Sequence, residues 1–289
     1  MPAGAFREQM HELACTTSDH PSIKDRDMKQ STANFAAQAV SKVPELTLGF
    51  WAIKVAATTL GETGGDWVSM SLNLGYLIGS AIFLILFIGL VYAQVKAQAF
   101  DRFLYWATIV ATTTLGTTMA DFADRSLGVG YPGGASMIAA LLIASLAIWY
   151  RSEGTVSVES VVTSKAEWFY WITILFSQTL GTALGDWVAG EDRGGLGIGY
   201  EYGAMLFGAG LIVVAGLYFW TRVFRTALFW AAFILTRPLG ATLGDFLDKP
   251  LAQGGLQISR LYASGILLAF ILACIVLIPQ RSAKRGSAV

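Results

Sequence analysis

Four aspartates carry the chemistry that this sequence can offer: Asp66, Asp121, Asp186 and Asp245, each fifteen residues after a tryptophan (Trp51, Trp106, Trp171 and Trp230) and each followed by Trp or Phe. Glu62 stands one turn before the first, and Asp124 and Asp248 one turn beyond the second and fourth. Around them lie hydroxyls (Thr59, Thr63, Thr114, Thr118, Thr179, Thr182, Thr242) and glycine-freed carbonyls. An all-oxygen set of this kind suits a proton or a hard divalent cation such as Mg2+, Ca2+ or Mn2+, and not a thiophilic metal. An acid beside an aromatic at a helix end also has a plainer use, facing interfacial water and capping the next segment, and duplication would copy a structural Asp as faithfully as a functional one. The Thr and Gly positions read first as packing. Both histidines (His11, His20) and Cys15 fall in a polar N-terminal stretch, and Cys274 lies alone in an apolar run, so no imidazole or thiolate metal site is available within the apolar part.

The elements that must hold these acids are apolar. Of 289 residues, 54% are hydrophobic and 14% charged, with 20 Lys+Arg balancing 20 Asp+Glu and a mean hydropathy of +0.55. That composition excludes an ordinary soluble enzyme, favours an integral membrane protein and gives no reason to expect a nucleic-acid partner. Stretches 72–95, 129–150, 199–220 and 258–278 are each long enough to cross a bilayer as helices. Between them, 46–65, 103–120, 167–185 and 226–244 are shorter and rich in Thr, Gly and Ala.

Self-comparison brings the second set into line. WAIKVAATTLGETGGDW, WATIVATTTLGTTMADF, WITILFSQTLGTALGDW and WAAFILTRPLGATLGDF align without gaps from Trp51, Trp106, Trp171 and Trp230, with Gly61, Gly116, Gly181 and Gly240 in register. Gly-Tyr opens the following helix in three copies (Tyr76, Tyr131, Tyr200), where the fourth has Ser259-Arg260. Copies one and three share Gly-Asp-Trp-Val, and copies two and four share Asp-Phe-x-Asp-basic-x-Leu. Two spans per copy give every copy the same orientation, with the pseudo-symmetry axis along the membrane normal.

This tandem unit resembles a bacterial membrane-protein family known as a repeat of unknown function, whose members are sometimes called membrane-anchored proteins. The resemblance covers residues 46–280 and implies eight spans and a bacterial membrane, with no assigned activity. Departures are Ala120 for Gly before the Asp, Pro238 for Thr, and Ser259-Arg260 for Gly-Tyr.

The expected architecture is all-α integral membrane: eight transmembrane helices from four parallel two-helix repeats (about 46–98, 102–152, 166–222 and 226–280), in a membrane domain over 44–280. Residues 1–43 are expected to form a disordered cytoplasmic tail, and 281–289 a basic one. Fourteen of the basic residues lie in the tails and inter-repeat segments, among them Lys96, Arg102, Arg151, Lys165, Arg222 and Arg225, while Arg125, Arg193, Lys249 and Arg260 lie at the other end. The positive-inside rule then places both termini in the cytoplasm and the aspartates outward, in the bacterial inner membrane that the resemblance implies. Small residues allow the odd helices to form an inner ring, screened by Leu/Ile/Phe-rich even helices in lipid.

Three ions break the repeat. Lys54 replaces Ile109, Ile174 and Phe233; Glu62 replaces Thr117, Thr182 and Ala241; Arg237 replaces Thr58, Thr113 and Gln178. Registers four residues apart, ~6 Å along a helix, predict that Arg237 pairs with Glu62 across the ring. Lys54, one turn from Trp51, is expected to snorkel to the interface. Thr-Leu-Gly followed by Gly-Asp looks like a potassium-channel filter, but two spans consume each repeat and leave no pore helix. No GxSxG, HExxH, P-loop or dinucleotide motif is present, and GETGG at 61–65 ends an apolar segment and follows no strand, so no enzymatic activity is expected. The leading expectation is a transporter or channel-like protein for a small ion or solute, best a hard cation or proton. The alternative is a membrane scaffold or sensor in which the motif packs helices.

Overall fold

A computed structural model describes residues 42–283 except 223. Most of the expected N-terminal tail, with His11, His20 and Cys15, and the basic residues after 283 lie outside the described residues. Within them the chain is all-helical: α1 (Leu48–Asp66), α2 (Gly75–Lys96), α3 (Arg102–Asp121), α4 (Gly130–Glu153), α5 (Ser164–Ala189), α6 (Tyr200–Trp220), α7 (Arg225–Asp248) and α8 (Arg260–Leu277). Side-chain caps start three of the odd helices: Thr47 accepts from Phe50 N, Asp101 from Leu104 N and Thr163 from Ala166 N. Lys42 and Val43, at the edge of the expected tail, are packed, since Val43 O accepts from Ala283 N at 2.8 Å and Lys42 Nζ reaches Glu167 Oε1 at 2.7 Å.

The odd helices close into a ring, α1 on α3, α3 on α5, α5 on α7 and α7 on α1. The even helices follow the same cyclic order one step on: α2 lies against α3, α4 against α5, α6 against α7 and α8 against α1. Each outer helix therefore covers mainly the inner helix of the next repeat, and the last repeat closes onto the first.

Glycine sets the distance between inner helices. A Cβ on Gly61, Gly181 or Gly240 would overlap Thr113, Arg237 or Thr58 of the next repeat, and one on Gly116 would lie 3.0 Å from the Gln178 backbone. Gly65, Gly185 and Gly244, four residues on, repeat the contact against Thr117, Ala241 and Glu62, and Ala120 holds that place in copy two. This small-x-x-x-small pattern is the close-approach device of membrane helices, repeated at every seam of the ring.

The outward faces are apolar, with Leu77, Ile85, Ile143, Ile212 and Ile266 exposed. Five helices, α2, α4, α6, α7 and α8, are long and apolar enough to cross a membrane. The other three, α1, α3 and α5, fall short because the face they turn to the axis is polar. All odd segments are full helices of 19–26 residues, so no filter-like carbonyl loop forms among them.

The four tryptophans do not form a lipid-facing belt. Trp106, Trp171 and Trp230 are buried, and with Phe50, Tyr105, Tyr170, Trp149 and Phe229 they fill one end of the bundle with rings 5–6 Å apart (Phe50–Trp106 5.3 Å, Tyr105–Trp171 5.7 Å, Trp149–Trp230 6.0 Å).

At the opposite end, α1 and α3 loosen into π turns (Trp67–Ser71, Phe122–Ser126). After α5 and α7 the chain instead folds back, and Leu196 N and Leu256 N bond the free carbonyls of Trp187 and Phe246, both at 2.7 Å. Gly75, Gly130 and Gly199 open the even helices at φ of 76°, 69° and 86°, which requires glycine, whereas Ser259 takes φ of −56° and frees the fourth copy to place Arg260 next.

Candidate functional site

Residues four apart lie on one helix face, and in this ring the face carrying positions 54, 58, 62 and 66 of copy one and their counterparts turns to the axis. The axis is thus a stack of four-residue layers: Lys54, Ile109, Ile174 and Phe233; then Thr58, Thr113, Gln178 and Arg237; then Glu62, Thr117, Thr182 and Ala241; then the four aspartates. Each of the first three layers carries a single charged residue, Lys54, Arg237 and Glu62 in turn, so the layers differ in charge while sharing one backbone plan.

Arg237 fills the middle of the stack. Fully buried, its guanidinium donates to Glu62 Oε2 at 3.1 Å, Thr58 O at 3.2 Å, Thr113 O at 3.3 Å, Thr182 Oγ1 at 2.5 Å and Thr117 Oγ1, so one side chain of copy four ties the other three repeats together. The pairing expected from register is present. Below it Lys54 departs from expectation. Its side chain is fully buried, with Nζ 3.4 Å from Gln178 Oε1 and 4.1 Å from the Phe233 ring centre. Its backbone position faces the axis, where an amide and a ring face receive the amino group, so it does not run out to the interface.

The threonines also divide. Thr59, Thr114, Thr179 and Thr242 bond carbonyls four residues back in their own helices, Thr118 bonds Leu115 O, and Thr63 bonds Leu60 O and Ser264. Of the hydroxyls expected to face the acids, Thr182 alone contacts an axial charge.

Three cations of the protein itself bridge the aspartate layer. Arg125 bridges Asp121 of its own repeat (2.9 Å) and Asp186 of the next (3.6 Å). Lys249, its counterpart, bridges Asp245 of its own repeat and Asp66 of the next, both at 2.9 Å. Arg260, in the place of the tyrosines, adds Asp248 at 2.7 Å and Asp66 at 3.6 Å. Asp66, Asp245 and Asp248, three of the seven candidate acids, bring oxygens within 4.8 Å of one another, and the Lys249 ammonium lies against two of the three. The sequence does not by itself pair Arg125, Lys249 or Arg260 with these acids. Their signals were the four-residue step from Asp121 and Asp245 and the break in the Gly-Tyr pattern.

Lys249→Met leaves these three acids around a vacated seat. We expect the purified variant to gain thermal stabilisation from millimolar Mg2+ or Mn2+ that the unaltered protein lacks; an equal response of both proteins would refute the seat.

Above this layer lies an open cavity of about 880 Å³, lined by Arg125, Asp186, Tyr131, Tyr200, Lys249 and Arg260 and by the fold-back segments. Beneath it, Arg237 and the aromatic end close the axis.

Ring and site together define an all-helical bundle of four cyclically packed repeats, apolar outside and charged along its axis. The chain belongs to the family described as Repeat of Unknown Function (DUF347), which matches residues 49–100, 104–155, 169–224 and 228–281. No curated protein and no solved structure matches it.

Proposed function

We propose that the protein is an eight-span transporter of a bacterial inner membrane, with both termini cytoplasmic, that passes a proton or a small hard cation between the outward cavity and the axial column. The observation that carries this reading is the column itself. Lys54, Arg237, Glu62 and four aspartates are buried inside helices whose outer faces are apolar. Each ionisable group placed within a membrane span costs roughly 2.5–3.5 kcal/mol on insertion scales, and chains that keep several at successive depths use them. In this reading α1, α3 and α5 cross the bilayer shielded by the outer ring, and the described arrangement is an occluded state whose seats are held by tethered cations.

A second reading, a scaffold or sensor without flux, is favoured by the completeness of the Arg125, Lys249 and Arg237 pairings, which leave the axis shut. Reconstituted vesicles separate the two. Under the transport reading, Asp66→Asn, Asp121→Asn, Asp186→Asn and Asp245→Asn each insert and fold yet lose most proton or divalent-cation flux. Under the scaffold reading they lose stability alone or change nothing, and the parent protein conducts no more than empty vesicles.

A further inference from the structure

The two halves of the aspartate layer differ one turn beyond Asp121 and Asp245. Asp248, one turn beyond Asp245, receives Arg260 Nε at 2.7 Å. Asp124 is its counterpart one turn beyond Asp121, and the residue matching Arg260 there is Tyr131, whose hydroxyl donates to Asp192 Oδ1 at 3.0 Å. Asp124 is fully buried (0% exposed), and neither carboxyl oxygen has a hydrogen-bond or ion-pair partner among the described residues. Gly134 of α4 packs onto it so closely that a Cβ there would overlap Oδ1, which leaves no room for a bound ion on that side.

The groups facing Asp124 do not supply a counter-charge. α4 brings Gly134 and Tyr131 and no charge before Arg151. α5 brings the Asp186 carboxylate, which repels a second negative charge. On its own turn Arg125 is committed to Asp121 and Asp186, and Arg193, in the loop after α5, lies 3.8 Å from Asp192. A buried carboxylate without a partner is strongly disfavoured, whereas the neutral acid is tolerated.

We propose that Asp124 is a proton-binding site of the cavity end, its carboxyl enclosed without a partner where its mate Asp248 faces Arg260. The ligand is a proton, and the two halves of the pseudo-symmetric layer differ in whether this carboxyl has a cation beside it. The assignment concerns the same end of the bundle as the transport reading and does not depend on flux. Asp124 lies in the π turn beyond α3, where burial first and the Asp186 charge second push its carboxyl up to about 7, against the opposing pull of Arg125 and Arg193. Its ordinary value is 3.8, so the folded state binds the extra proton between the two. The stability it contributes is complete below about pH 4 and is lost as pH rises through about 7.

The test is an infrared titration of the protonated-carboxyl stretch on the full chain in detergent, paired with thermal melts across the same pH range. The expected result is a protonated-carboxyl band titrating near neutrality that loses one carboxyl's amplitude in Asp124→Asn, whose melting temperature also falls less from acid to alkaline pH. Tyr131→Arg, which supplies the missing cation, removes the same amplitude. A parent protein without such a titration, or an undiminished amplitude in Asp124→Asn or, should that variant not fold, in Tyr131→Arg, overturns the proposal. Retained titration with no measurable flux would count against transport and leave the proton site standing.

Discussion

Arg237→Met is expected to destabilise the bundle by roughly 3–5 kcal/mol, the usual consequence of removing one partner from a buried ion pair. Glu62 is left enclosed without its counter-charge, and Thr117, Thr182 and the carbonyls of Thr58 and Thr113 lose a donor at the point where all four repeats meet. The sign of a second change tests the cause. Glu62→Gln in the Arg237→Met background should recover much of the loss, because a neutral amide removes the stranded charge. Exchange of the two charges (Glu62→Arg with Arg237→Glu) should restore part of what Glu62→Arg alone loses. Thermal or denaturant unfolding in detergent reads each effect, and double variants no better than the singles would refute the pairing as the central tie.

Gly240→Val is expected to prevent normal closure of the ring. A Cβ at that position overlaps Thr58 Oγ1 and comes 2.8 Å from the Thr58 backbone carbonyl carbon, which cannot rotate away. Overpacking costs about 1–3 kcal/mol where neighbours can adjust, and here the neighbour is backbone, so the loss should lie at or above that range. Because Gly240 forms the seam between the last repeat and the first, the change should also loosen the contact that closes the circle. Gly89→Ala is the control: nothing lies within 4 Å of its added methyl, and its melting temperature should stay or rise slightly. Equal melting of the two variants would show that the seam does not depend on close approach.

Much of the plan was legible along the chain. The seventeen-residue repeat with its recurring Asp, the small residues of the inner helices and the apolar outer ones imply a ring within a ring, because helix periodicity turns fixed spacing into a fixed face. The Glu62–Arg237 pairing was legible for the same reason, since both residues break the repeat and stand one turn apart in register. Lys54 was misread because its distance from Trp51 gives its depth but not its azimuth, and azimuth decides whether an ammonium meets the interface or the Phe233 face.

Sequence alone therefore determined repeat, depth and polarity: which residues share a layer, and that acids recur in one of them. Partnership was decided by tertiary structure. Arg125 serves Asp121 and Asp186, Lys249 serves Asp245 and Asp66, and Arg260 serves Asp248, because the repeats follow one another around the ring and each cation reaches its own acid and the next repeat's. That order is set by glycine contacts between helices far apart in the chain, which no local spacing encodes. Asp124 stands unpaired for the same reason, since the site its counter-ion would occupy belongs to another helix, and there the chain has placed Tyr131.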